Sequence, residues 1–242
     1  MGVHSQLFKP GRNAAALNER TSSQAHPSYV LAGRRLTLPS WRTLGIVAGA
    51  VLAVVLIGAA AWFWNASQQQ RGSSVYAGTL TRHRAAEGPQ ATPEARTAAI
   101  SDLERVLAEY PSNVMAPQAA YLLGNLRFAA GQYDRARAAY QVTIARAGAG
   151  TMATLARAGV GYAWEAERKL PEAARAFEGA LADLKPTSFY YEELLSDLAR
   201  AQERSAKKDA AIATYRRFLK DLPKSPRAPE IKTRLASLGA TP

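Results

Sequence analysis

Few side chains in this 242-residue chain could carry out catalysis, and their spacing works against it. Cys is absent, which removes thiolate nucleophiles, disulfides and thiolate metal sites together without fixing the redox compartment. His occurs only at positions 4, 26 and 83. His83 stands between Arg82 and Arg84, a pattern that reads as a solvated basic face, with no second His or Cys nearby to complete a metal site. Carboxylates are paired at Glu165/Glu167 and Glu192/Glu193, but residues one or two apart do not share a helical face, so neither pair can flank a substrate bond as acid and base. No Gly-rich phosphate loop lies between a strand and a helix. The expectation is a protein that is not an enzyme, with no catalytic residue, no metal site and no cofactor.

What remains is the chemistry of contact, and contact residues need a scaffold. Tyr121 to Tyr140, YLLGNLRFAAGQYDRARAAY, shows how one is built: two helical segments around a hinge of Gly131, Gln132 and Tyr133. Leu122, Leu123 and Leu126 form one apolar face of the first segment with Gly124 among them, while Ala136 and Tyr140 sit one turn apart on the second. Gly inside an apolar helix costs about 1 kcal/mol relative to Ala, so Gly124 implies a neighbour pressed too close for a methyl group. The pattern repeats. Gly161, Ala173 and Phe177 follow Gly124, Ala136 and Tyr140 by 37 residues; Ala99 and Leu103 precede the last two by the same step; Ala199, Ala211 and Tyr215 come one step of 38 later. Such a period marks a helical solenoid, in which each helix pair needs neighbours to cover its apolar faces.

With a small residue in the first helix, a small residue and an aromatic in the second, and closing prolines at Pro111 and Pro223, residues 94 to 238 resemble the tetratricopeptide repeat (TPR) family. The extra length per repeat is visible at Gly148 to Thr151, GAGT. The resemblance implies an all-α fold: a right-handed TPR-like solenoid of about 3.5–4 helix pairs with a C-terminal capping helix, preceded by a single transmembrane helix. Helices are expected over Glu94–Tyr110, Asn113–Ala130, Tyr133–Arg146, Thr151–Lys169, Pro171–Leu184, Thr187–Ser205, Lys207–Leu222 and Ala228–Leu238, the first opened by Thr92-Pro93-Glu94. In this family the first helix of each pair lines a concave face that binds partners. Carried over position by position, that face comprises Gln118, Tyr121, Asn125 and Phe128, then Leu155, Tyr162 and Glu165, then Glu193, Ser196, Arg200, Glu203 and Arg204. Aromatic and Arg side chains are the usual anchors of interfaces, although packing between repeats would use the same residue types, and at any one position both readings stand. The family's carboxylate clamp needs Lys beside Asn; Asn125 is present and no Lys accompanies it on these faces.

The net charge of +12 is unevenly spread. Residues 1–43 hold six Lys and Arg against Glu19 and read as a disordered basic tail. Leu44–Trp64 is 21 residues without a charge, enough at 1.5 Å per residue to span the roughly 30 Å hydrocarbon core, with Trp41 and Trp62-Phe63-Trp64 where interfacial aromatics belong. The rival is a cleaved signal with Arg34-Arg35 and Ala59-Ala60-Ala61; the long apolar run, the long tail before it and the aromatics after it argue for an uncleaved span. Arg34, Arg35 and Arg42 precede the span and Arg71 alone follows closely, so the tail should be cytoplasmic and the repeats exported, periplasmic in a cell with two membranes. Gly45 and Gly49 could pair two spans into a homodimer. Residues 65–91 read as a linker, although Ser74 to Ala86 could form a poor helix completing the first repeat, and 92–240 read as the solenoid domain.

Nine basic residues from Lys207 to Arg234 face Asp209, Asp221 and Glu230. Nucleic acid is not the expected partner of an exported domain; anionic headgroups or an acidic protein suit the cluster better, and a solvated face accounts for it most simply. The layout resembles the YfgM-type family of ancillary SecYEG translocon subunits. That implies a non-catalytic scaffold in the inner membrane whose partners are proteins, the translocon or exported clients among them. A structural subunit of an envelope, division or outer-membrane-assembly complex, its groove empty, is the alternative.

Overall fold

The computed structural model describes residues 40–83, 86, 88 and 90–241, so the predicted basic tail lies outside the described residues up to position 39, Arg34 and Arg35 included. Among the described residues every regular element is a helix: α1 (Trp41–His83), α2 (Pro93–Glu109), α3 (Ala116–Ala129), α4 (Tyr133–Ala147), α5 (Thr151–Ala166), α6 (Leu170–Leu181), α7 (Tyr191–Arg204), α8 (Lys208–Asp221) and α9 (Ala228–Ser237). The chain divides into two units, Met1–Val55 and Leu56–Pro242. What is described of the first is the beginning of α1, whose side chains are all exposed. Across the whole of α1 the exposed apolar run continues to Trp64, and among the described residues α1 is the one helix long and apolar enough to cross a membrane.

In the second unit the helical alternative over Ser74–Ala86 holds as far as His83, and the helix also takes in residues 65–73, which corrects the linker reading there. Helix α1 runs unbroken through Asn65 to His83, and Gly72, Tyr76 and Thr79, spaced four and three residues apart, are its buried stripe. A ring lies on the glycine: a Cβ at Gly72 would stand 3.0 Å from Tyr110 Cδ1. The Tyr76 hydroxyl donates to the Tyr110 carbonyl at 3.0 Å, and Asn113 Nδ2 donates to the Gln69 carbonyl at 2.9 Å. This end of α1 therefore serves as the first helix of the opening repeat, with α2 as the second. The polar letters of NASQQQRGSS concealed it, since only one residue in three or four has to be apolar or small for a helix to dock. His83 is corrected with it: rather than lying on a solvated face, its Nε2 sits 2.7 Å from Asp102 Oδ2 on α2.

Every predicted helix end falls within three residues of the observed one except the start of α7, four residues late, and the late starts of α3 and α7 have local causes. Asn113 belongs to the turn before α3, where its Oδ1 accepts from the Met115 amide at 3.0 Å. Thr187 to Tyr190 stay outside α7, because Ser188 Oγ accepts from the Lys185 amide at 3.1 Å and closes a turn directly after Pro186. Elsewhere capping is as read: Thr92 accepts from the Ala95 amide at 3.2 Å with Pro93 at the first helical position.

From α3 onward each helix packs on the next, and α3 also meets α5, the neighbour relation of a solenoid. The turn inside each pair is the same turn three times. Gly131, Arg168 and Ala206 take a left-handed backbone (φ 71°, 61° and 60°), and the following amide reaches back five residues, Gln132 to Arg127, Lys169 to Trp164 and Lys207 to Gln202, at 2.8–2.9 Å. This is the Schellman closure of a helix end. Between pairs, Gly148 and Gly150 with φ of 64° and 130° make the GAGT link, which residues with a Cβ rarely follow.

The small-residue period has its physical cause in these contacts. Tyr140 of α4 lies between Gly124 of α3 and Gly159 of α5, and a Cβ on either would collide with its ring. Phe177 of α6 rests on Gly161 in the same way, 2.5 Å from where a Cβ would stand, and Ala199 is buried in one cluster with Tyr215.

Candidate functional site

The helices that open the repeats, α3, α5 and α7, together line a groove of about 380 Å³. Helix α3 contributes Tyr121, Asn125 and Phe128; α5 contributes Thr154, Leu155, Ala158, Gly159 and Tyr162; Tyr190, Glu193 and Leu194 complete the far wall, with Tyr140 beneath. The convergence follows from the turn geometry. Each pair folds back on itself identically, so side chains spaced about one period apart come to one side.

Six of the twelve side chains proposed from sequence line this groove: Tyr121, Asn125, Phe128, Leu155, Tyr162 and Glu193. Glu165, Arg200 and Arg204 lie outside it as a closed charge cluster, Arg200 contacting Glu165 Oε2 at 3.1 Å and Asp197 Oδ1 at 2.9 Å while Arg204 takes the other oxygen of Glu165. Glu203 turns toward the end of the chain: it accepts from the Tyr215 hydroxyl at 2.7 Å and pairs with Arg234 at 3.6 Å. Gln118 is exposed on α3, Ser196 is half-buried on α7, and neither lines the groove. Sequence reasoning missed Tyr140, Gly159, Tyr190 and Asp197. The period itself marked Tyr140 as a packing residue; that its ring also floors the groove is a matter of helix spacing. Asp197 carried no signal, being a carboxylate on a helix rich in them.

Asp197 is buried, accepts from the Tyr162 hydroxyl at 2.6 Å and meets Arg200. Burial pushes its carboxyl above the ordinary value of 3.8, outweighing the hydrogen bond from Tyr162 and the charge of Arg200. Asp102 moves the other way, held below 3.8 chiefly by the hydrogen bond from His83 and then by Arg105. The linkage follows with opposite signs. Asp102 adds stability that is present above its unfolded value and is lost as pH falls through its folded one. Asp197 favours the fold below its unfolded value and loses that contribution as pH rises through its folded one. Asp197→Asn should therefore leave thermal stability at pH 7 equal or higher, whereas Asp102→Asn should lower it at pH 7 by an amount that shrinks as pH falls through the folded value of Asp102. Melting curves across that range, with carboxyl NMR titrations of both groups, decide it.

The basic cluster of the last helices is partly tied within the chain. Arg217 lies 3.4 Å from Asp221 and 5.4 Å from the Tyr191 ring centroid, Arg216 donates to the Thr241 carbonyl, and Arg234 meets Glu203 and Glu230. Lys207, Lys208, Lys220, Lys224 and Lys232 are exposed. Among the described residues no group of three His, Cys, Asp or Glu is placed to hold a metal ion.

A family model described as a tetratricopeptide repeat-like domain matches residues 40–240. The chain belongs to the tetratricopeptide repeat-like family. TPR-like folds are typically non-catalytic scaffolds for contacts between proteins. The TPR-like repeats of a kinesin light chain from Podosopora anserina are similar in structure, with a TM-score of 0.51 over 70% of this chain and 85% of that one; at 15% identity the likeness concerns the fold alone. No curated protein matches the sequence.

Proposed function

We propose that this TPR-like chain is a single-pass membrane adaptor that holds segments of other proteins in the groove of α3, α5 and α7. The observation that carries the reading is the convergence of aromatic and apolar side chains from three repeats into one cavity of about 380 Å³. An apolar concavity with a few polar groups is the usual form of a binding site. Anchoring rests on the apolar part of α1, flanked by Trp41 and by Trp62, Phe63 and Trp64. The excess of Arg34, Arg35 and Arg42 before the span over Arg71 after it supports a cytoplasmic amino terminus, an inner-membrane location and an exported, periplasmic repeat domain. Clients would then be exported or envelope proteins met near the translocon, and nucleic acid is not a partner. A homodimer through Gly45 and Gly49 is compatible with that stripe, since among the described residues a methyl group on either would have nothing within 4 Å.

One observation favours a second reading, a structural subunit with an empty groove: at its charged end Arg200 and Arg204 are already paired with Glu165. Photo-crosslinkers at Tyr121 and Arg200 in living cells separate the two. Many heterogeneous adducts from position 121, reduced at least about tenfold by Leu155→Arg, are expected of an adaptor, since burying one unpaired charge in an apolar contact costs more than 1.4 kcal/mol. One stoichiometric adduct, unaffected by Leu155→Arg, would support the structural subunit instead.

A further inference from the structure

The groove carries a charge pattern opposite to that of the whole chain. The protein has a net charge of +12, yet of the side chains lining the groove Glu193 alone is charged. Glu193 is exposed and accepts from the Tyr162 hydroxyl at 3.5 Å. Among the described residues no Lys or Arg pairs with it. Beside it, Asp197 and Glu165 share Arg200 and Arg204, so three carboxylates stand against two guanidinium groups at this end. The other walls are rings. Tyr121, Phe128, Tyr162 and Tyr190 are each part-exposed, and Tyr121 meets Tyr140 with centroids 5.8 Å apart. Next to Tyr190 of the groove, Phe189 is 89% exposed and meets the Tyr190 ring edge-on with centroids 5.0 Å apart, a large exposed apolar surface.

Aromatic faces and a lone carboxylate together are the recognition chemistry for an organic cation: the ring quadrupole attracts it from within about 6 Å and the carboxylate supplies the counter-charge. We infer that the groove selects extended polypeptide segments carrying a Lys or Arg next to apolar side chains, the cation seated between Glu193 and the tyrosine rings and the apolar neighbours lying against Leu155 and Phe189. The inference rests on the adaptor reading above and names the class of segment it takes. Electrostatic complementarity argues for this occupant, because an acidic segment would place its charge against Glu193, and among the described residues lining the groove there is no Lys or Arg to receive it.

The test uses the full chain in zwitterionic detergent at physiological salt, with binding to empty micelles subtracted. Three fluorescein-labelled nonapeptides, alternating leucine with lysine, glutamate or serine, are compared by anisotropy. The chain's net positive charge favours the glutamate probe at every non-specific site, so preference for lysine reports the groove. The lysine probe is expected to bind at least about fivefold more tightly than the glutamate probe. Glu193→Gln should lower lysine-probe affinity about threefold to tenfold, the range of a part-exposed ion pair with ring contacts, and leave the serine probe unchanged. Because Glu193 is exposed, the variant should fold as the parent does. A lysine probe no tighter than the glutamate probe, or indifferent to Glu193→Gln, overturns the inference. If the serine probe still binds and Leu155→Arg abolishes it, the groove reading survives that failure. If no probe binds in a Leu155-sensitive way, both fall.

Discussion

Replacing Gly124 with Ala is expected to destabilise the repeats by about 1–2 kcal/mol, although the same change in an exposed helix would stabilise by about 1. The added methyl would collide with the Tyr140 ring, which cannot retreat: Gly159 faces its other edge, 2.7 Å from where a Cβ would stand, and its hydroxyl donates to Asn125 at 2.9 Å. The sign should invert once the ring is gone. In a Tyr140→Ala background, itself costing about 3–5 kcal/mol as a buried aromatic, Gly124→Ala should become neutral or stabilising. Gly124→Ala and Gly159→Ala together should cost more than the sum of the two, because each methyl closes the space into which the other would push the ring. Denaturant titrations of the parent and these five variants measure it; a Gly124→Ala penalty that persists without Tyr140 would mean that the close approach lies elsewhere.

Arg137→Ala is expected to cost on the order of 3 kcal/mol, the range for removing one partner of a buried ion pair. The guanidinium is buried 3.5 Å above the Trp164 ring centroid, reaches Glu167 at 2.6 Å and also pairs with Asp134, so it bolts α4 to the end of α5. Burial alone would raise the Glu167 carboxyl, but hydrogen bonds from Arg137 and Lys169 together hold it below the ordinary value. Arg137→Lys should recover less than half of the loss, because an ammonium cannot stack flat on an indole while contacting two carboxylates. Thermal melts of both variants test this; full rescue by Lys would reduce the site to simple charge pairing. Trp164 is the one Trp beyond the apolar segment, and in both variants its emission should shift as the cation leaves its face.

Much of the architecture was legible because the cause of the fold is local and periodic. A small residue must recur wherever an aromatic from the partner helix crosses, so Gly124, Gly161 and Ala199 mark the repeats in the sequence itself. The apolar segment from Leu44 to Trp64 was legible for a similar reason, since length and composition alone suit it to span a bilayer. The last nineteen or so residues of α1 were not, because docking asks only for Gly72, Tyr76 and Thr79 on one face, and the polar residues between them dominate the composition.

The groove divides the same way. Sequence set which helix faces look inward, and Tyr121, Asn125, Phe128, Leu155, Tyr162 and Glu193 do line one cavity. It could not set which inward residues would be consumed by each other. Glu165 is held by Arg200 and Arg204, and Glu203 by Tyr215 and Arg234, across intervals of 35, 39, 12 and 31 positions along the chain. Pairing of that kind depends on how close successive helix pairs stack, a distance fixed by the rings lodged between them. Side-chain type and period thus decide that the chain coils into repeats, whereas the spacing between repeats decides that Glu193 is left facing the groove while its acidic neighbours are already paired.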